Sequence, residues 1–133
     1  MIRSARVAAI ALLVLACAPA AFAKPRPAVP AAAAQVIARV HAAAAAKDFA
    51  ALRALMDESE FTSSFGGNGG VDEAIALWRE DPALLPKLAK VTGQPCELVE
   101  GDVECPAGAD TGYRAGFKLT AKGWRMQWFL AGD

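Results

Sequence analysis

Residues 113–130 read YRAGFKLTAKGWRMQWFL, and the way this stretch pairs with itself decides the fold. Thr120-Ala121-Lys122-Gly123 forms a loop between two segments of alternating apolar residues, which is the pattern of a β-hairpin. Closing that loop sets Leu119 opposite Trp124, Phe117 opposite Met126, Ala115 opposite Trp128 and Tyr113 opposite Leu130. All of these residues fall on one face. The other face receives Lys118 with Arg125, Gly116 with Gln127 and Arg114 with Phe129. A slip of one residue would scatter the apolar set over both faces, so the register is strongly specified. The pairing of Lys118 with Arg125 works against it, because like charges directly opposite each other destabilise a ladder.

A second hairpin precedes it in PCELVEGDVEC, residues 95–105. Glu100-Gly101 stands at the tip, where glycine suits a position of positive φ. Val99 then pairs with Asp102, Leu98 with Val103, and Cys96 with Cys105. The two thiols meet across the ladder on the face shared by Leu98 and Val103, which predicts a cross-strand disulfide.

Ahead of the hairpins the periodicity is helical. Val36, Ile37, Val40 and Ala44 recur on one face. Asp48 is a cap residue for a second helix with Phe49, Leu52, Leu55 and Met56 on its apolar side, so a kink is expected near Lys47. Phe61 to Phe65 is short and extended, and the run Gly66-Gly67-Asn68-Gly69-Gly70 breaks it. Val71, Ala74, Ile75 and Trp78 define a third helix, with Asp72 and Glu73 in its favourable first turn. Asp81-Pro82 starts a fourth, with Leu84, Leu85, Leu88 and Val91 as its stripe. Pro86 within that stripe implies a kink or two short pieces. The expected architecture is α+β, a single domain over residues 35–133, with N-terminal helices packed on a curved, cone-like antiparallel sheet.

The N-terminus has another character. Arg3 and Arg6 precede a wholly apolar stretch, and Ala21-Phe22-Ala23 ends it, the three-part layout of a signal peptide spanning residues 1–23. Residues 24–34, KPRPAVPAAAA, read as a Pro/Ala-rich linker of extended geometry. Val14-Leu15-Ala16-Cys17 also resembles a lipobox, which would place a lipid on Cys17 and attach the chain to a membrane. Either processing leaves Cys96 and Cys105 as a pair in an oxidising compartment, the periplasm or the extracellular space. Loss of Arg3 and Arg6 leaves 12 basic against 14 acidic residues, a net charge of −2. That balance argues against a nucleic-acid partner.

No residue pattern specifies catalysis. His41 has no orienting carboxylate nearby in sequence, Ser63 and Ser64 lack a nucleophile elbow, and the cysteines lack zinc spacing. Asp57, Glu58 and Glu60 form an acidic helix end without calcium-loop spacing. The glycine run 66–70 lacks the Lys-Ser or Lys-Thr of a nucleotide loop. No metal or cofactor is called for. Trp78 is a candidate pocket aromatic, and Arg114 beside Phe129 on the outer sheet face is a candidate ligand contact.

The order of elements, together with HAAAAAKDFAALRALMDES at 41–59 and GWRMQWFLAGD at 123–133, resembles the nuclear transport factor 2-like superfamily, which includes ketosteroid isomerases and polyketide cyclases. The resemblance covers about residues 34–133 and implies a pocket between sheet and helices. Some members catalyse proton transfer there and many only bind or dimerise. No catalytic carboxylate or tyrosine dyad maps onto this chain, and the helices at 71–91 are longer than that fold implies. The reading is therefore an exported domain that binds a small molecule or an envelope protein, with a small isomerase or hydrolase and a Cys17-tethered structural lipoprotein as the alternatives.

Intact mass of the protein taken from its host's envelope is expected to place the first residue at Lys24. Reduction should add the mass of two hydrogens. A lipid-bearing chain beginning at Cys17 would instead establish the tethered form.

Overall fold

The computed structural model describes residues 27–64 and 69–132. The stretch read as a signal peptide, residues 1–23, with Cys17, and most of the glycine run lie outside the described residues. The first helix, α1, spans Ala31–Ala46 and buries Ala33, Val36, Ile37, Val40, Ala43 and Ala44. It begins ahead of the expected boundary at Gln35. Ala33 is fully buried and Val29 packs against the core, so the end of the Pro/Ala-rich stretch belongs to the domain. Alanine has the highest helix propensity, and a helix this rich in it presents a thin, close-packing face.

Lys47 ends α1 in the left-handed region at φ 54°. Asp48 then caps α2 (Phe49–Ala54), its carboxylate accepting from the Ala51 N–H at 3.0 Å. The expected kink is this cap-to-cap junction. Beyond α2 the chain runs beside the last strand of the sheet. The Asp57 N–H donates to the Met126 carbonyl at 2.9 Å, and the Met126 N–H donates to the Leu55 carbonyl at 2.8 Å. Strand β1 (Thr62–Ser63) continues this alignment.

Helix α3 (Gly70–Glu80) buries Val71, Ala74, Ile75 and Trp78, the stripe its periodicity specifies. Helix α4 spans Leu84–Thr92. It starts late enough that Pro86 falls in its first turn, where a missing N–H costs no intrahelical bond. The kink or break expected at Pro86 is absent for that reason. Asp81 holds the approach, its carboxylate accepting from the Ala83 N–H at 3.1 Å.

The four later strands are β2 (Glu97–Val99), β3 (Asp102–Cys105), β4 (Arg114–Thr120) and β5 (Gly123–Leu130), and the sheet order is β1-β5-β4-β3-β2. β1 pairs with β5 in parallel, so the sheet is mixed where an antiparallel one was expected. The β2–β3 hairpin has the expected register, with Glu100 and Gly101 at φ 52° and 91°. Cys96 and Cys105 are joined by a disulfide with their Cα atoms 4.4 Å apart.

The β4–β5 hairpin follows the expected register only from its turn to Phe117↔Met126. A bulge then inserts Gln127 into β5, and the pairs become Gly116↔Trp128, Ala115↔Phe129 and Arg114↔Leu130. The residues of β5 beyond the bulge exchange faces, while those of β4 keep theirs and Ala115 stays buried. Phe129, expected on the outer face beside Arg114, is fully buried, while Trp128 is turned outward. Burying a phenylalanine contributes about 1.5–3 kcal/mol, against about 0.5–1.5 kcal/mol for one interrupted ladder bond. The indole of Trp128 is not left bare. It lies over Gly116, where an added Cβ would come within 2.0 Å of the ring.

Helices α1, α3 and α4 cover one face of the sheet, and the core lies between. Trp78, Leu88, Val103, Phe117, Met126 and Phe129 are among its fully buried side chains.

Gly116→Ala is expected to expel the Trp128 ring and to cost about 1–3 kcal/mol through overpacking. Urea unfolding should show the loss, and tryptophan emission of the folded protein should move to the red.

Candidate functional site

The segment after α2 and the β4–β5 turn enclose a cleft of about 400 Å³. Its first wall is built by the main-chain pairing of Leu55 and Asp57 with Met126, which pins the backbone beside β5. Met56 points into the core, and Asp57 is held at only 8% exposure. The Asp57 Oδ1 accepts from the Ser59 N–H at 3.1 Å and from the Ser59 hydroxyl at 2.8 Å. These bonds turn the chain sharply and commit one carboxylate oxygen. Buried carboxylates are stable when bonded in this way.

The second wall is the hairpin turn. Thr120 Oγ1 donates to the Gly123 carbonyl at 2.7 Å and accepts from the Lys122 N–H at 3.1 Å. Arg125 Nη1 donates to the Trp124 carbonyl at 2.7 Å, which anchors the guanidinium at the edge of the cleft. Lys122 Nζ and Glu58 Oε2 meet at 3.7 Å across the opening. Both are exposed, and a surface pair of this kind contributes little, so it can open at small cost. Two cations and two carboxylates thus line one small space. A hydroxyl is present at Ser59, but it donates to Asp57 with no imidazole between them.

The candidate residues are distributed differently. Trp78 and Phe129 are brought together, with ring centroids 5.9 Å apart edge to face. Phe61 meets Trp78 at 5.9 Å and Tyr113 stacks on Phe129 at 5.8 Å. This aromatic cluster lies between the sheet and the helices, where a pocket was expected. Arg114 does not join it. It stands across from Leu130, and its Nη1 donates to the Asp110 carbonyl at 2.7 Å. The expected adjacency of Arg114 and Phe129 is therefore overturned by the bulge. Trp78 Nε1 and Arg114 Nε are buried without a hydrogen-bond partner among the described residues.

His41 has a structural task. Its Nδ1 lies 2.7 Å from the Ala89 carbonyl, and its ring packs where a side chain on Gly93 would intrude. It ties α1 to the last turn of α4. On the opposite flank, Arg53 pairs with Asp72 between α2 and α3, and that hydrogen bond and charge hold the guanidinium above its usual pKa. Among the described residues, no group of three His, Cys, Asp or Glu side chains is arranged to hold a metal ion. No helix among them is long and apolar enough to cross a membrane.

Sequence reasoning missed Ser59, Thr120, Lys122 and Arg125 as companions of Asp57. The one signal pointing there was the unfavourable Lys118–Arg125 pairing, which marks a concentration of positive charge. No protein-family model, curated protein or solved structure shows significant similarity to this chain.

Asp57→Ala leaves the Ser59 donors without their acceptor and is expected to cost about 1–3 kcal/mol. Chemical denaturation checks this. A solvated residue at a helix end would give a change within about 0.5 kcal/mol.

Proposed function

We propose that this chain is an exported binding domain that holds a small polar molecule in the cleft between residues 54–59 and the β4–β5 turn. The observation that carries this reading is the convergence of Asp57, Glu58, Lys122 and Arg125 on one cleft of about 400 Å³. Ligand sites use a few placed polar groups within a concave surface. Both signs of charge favour a molecule that carries both, such as an amino acid or a short peptide.

The signal-peptide layout of residues 1–23 supports export, and the Cys96–Cys105 bond is compatible with an oxidising compartment. A lipid at Cys17 would keep the same domain at a membrane surface. The resemblance to the nuclear transport factor 2-like superfamily supports a binding role. The aromatic cluster between sheet and helices favours a contact at the rim, where the charged cleft lies.

A second reading draws on the same cleft. Asp57 is a buried acid with Oδ1 committed to Ser59, and a carboxylate so placed can serve as a general base in a small isomerase or hydrolase. Turnover abolished by Asp57→Asn with folding intact would establish it.

The test is native mass spectrometry of the protein from its host's envelope, repeated on the Lys122→Ala/Arg125→Ala double variant. A non-covalent adduct on the wild type that the variant lacks is expected. Thermal stabilisation by a pool of amino acids and dipeptides should likewise be lost in the variant. Identical spectra and identical shifts for both proteins would overturn the reading.

A further inference from the structure

Given the binding role proposed for the Asp57 cleft, we infer that it takes its molecule by a free carboxylate, and that the Glu58 side chain keeps that carboxylate's place on Lys122 until the molecule arrives. The ligand class is then a free amino acid or a peptide with an open C-terminus, and Glu58 sets how much of it is needed.

The walls of the cleft are fixed and its opening is not. On one side Asp57 Oδ1 accepts from both the N–H and the hydroxyl of Ser59, at 3.1 and 2.8 Å, so Glu58 stands at the apex of a closed turn. On the other side Thr120 Oγ1 accepts from the Lys122 N–H at 3.1 Å and donates to the Gly123 carbonyl at 2.7 Å, which holds the backbone that carries Lys122. Across the opening Lys122 Nζ lies 3.7 Å from Glu58 Oε2, with 76% and 67% of the two side chains exposed. That is longer than a charge-assisted hydrogen bond, and a pair so exposed contributes little. Rotation of side chains alone opens it, and no backbone bond has to break.

Among the described residues, two groups of opposite sign are left over inside. Arg125 commits Nη1 to the Trp124 carbonyl and forms no ion pair, so most of its N–H donors are unused. Asp57 is only 8% exposed, yet its Oδ2 accepts no hydrogen bond and is not sealed off, so it meets the solvent of the cleft that Asp57 lines. A buried carboxylate oxygen without a donor is costly, and the ammonium end of a zwitterion supplies one.

The carboxylate end then belongs to Lys122 and Arg125. The guanidinium fork matches a carboxylate, and Glu58 presents the same chemical group to Lys122 from within the chain. An arriving carboxylate engages both cations, and Glu58 swings into solvent. Because the contact it gives up is weak, Glu58 raises the concentration needed without preventing binding. A molecule with negative charge alone meets Asp57 unmatched and is disfavoured.

The test follows the melting temperature of the mature protein against rising concentrations of a pool of free amino acids and glycyl dipeptides, and of the same pool as C-terminal amides. Four proteins are compared: wild type, Glu58→Gln, Glu60→Gln and the Lys122→Ala/Arg125→Ala double variant. Glu60→Gln removes the same charge from a neighbouring acid that accepts from Gln127 instead of meeting Lys122. Glu58→Gln is expected to reach half of its full shift at a free-acid concentration about two- to fivefold below that of the wild type, the range an exposed ion pair spans. Glu60→Gln should match the wild type. The amide pool should be needed at about tenfold higher concentration or more, and with it the difference between wild type and Glu58→Gln should vanish. Melting temperatures without any pool check that the variants fold. A Glu58→Gln protein that needs as much of the free acids as the wild type, an equal gain in Glu60→Gln, or amides as effective as free acids would overturn the inference. In those cases, stabilisation of the wild type that the double variant loses would leave the binding role itself standing. A pool that stabilises none of the four proteins overturns both.

Discussion

Phe129 reaches the core only because β5 carries one residue more than β4 across the step from Gly116 to Phe117. The aromatic cluster depends on that extra residue. With Phe129 inside, Trp78 on α3 has an edge-to-face partner from the sheet, and Tyr113 has a ring to stack on. Phe61 joins from the segment that leads into β1, so four separate parts of the chain converge on one point. The same residue count places Trp128 outside and requires glycine at position 116. A straight ladder would leave a phenylalanine on the open face and press an indole against the helices.

Much of the fold was legible because the hydrophobic pattern and the turn chemistry agreed. The stripes of α1 and α3, the Asp48 cap and the disulfide hairpin follow from spacing and residue type alone. The β4–β5 register was legible only as far as Phe117 and Met126. Beyond them an uninterrupted alternation also gives a consistent apolar face, with Trp128 inside in place of Phe129. Choosing between two aromatic residues requires knowing the shape of the space beneath them, and that space is set by α3, far away in the chain. The start of α4 was ambiguous for a simpler reason. Pro86 is damaging or harmless according to a shift of one turn in the helix boundary.

The cleft was the least legible part. Asp57 read as a solvated helix end because the carbonyl of Met126, which draws its backbone inward, is supplied by a strand about 70 residues away. Lys122 and Arg125 read as loop and strand surface. Their shared position with Asp57 arises from the parallel alignment of residues 55–63 with β5, and a two-residue strand has no periodicity to announce it. His41 read as a helix-flank residue with no orienting carboxylate, and its partner, the Ala89 carbonyl of another helix, was not legible because it lies 48 residues away.

The sheet order bears on how such a chain comes to be made. β5 follows every other element in sequence, yet it sits between β1 and β4 and lies against α1. The earliest helix can pack on α4 before then, but its sheet-facing side has no floor until the latest strand has been synthesised. Contacts that span so much of the chain form slowly. Until they form, the core that β5 closes stays open on its sheet side, whatever the earlier helices and the Cys96–Cys105 hairpin have already joined.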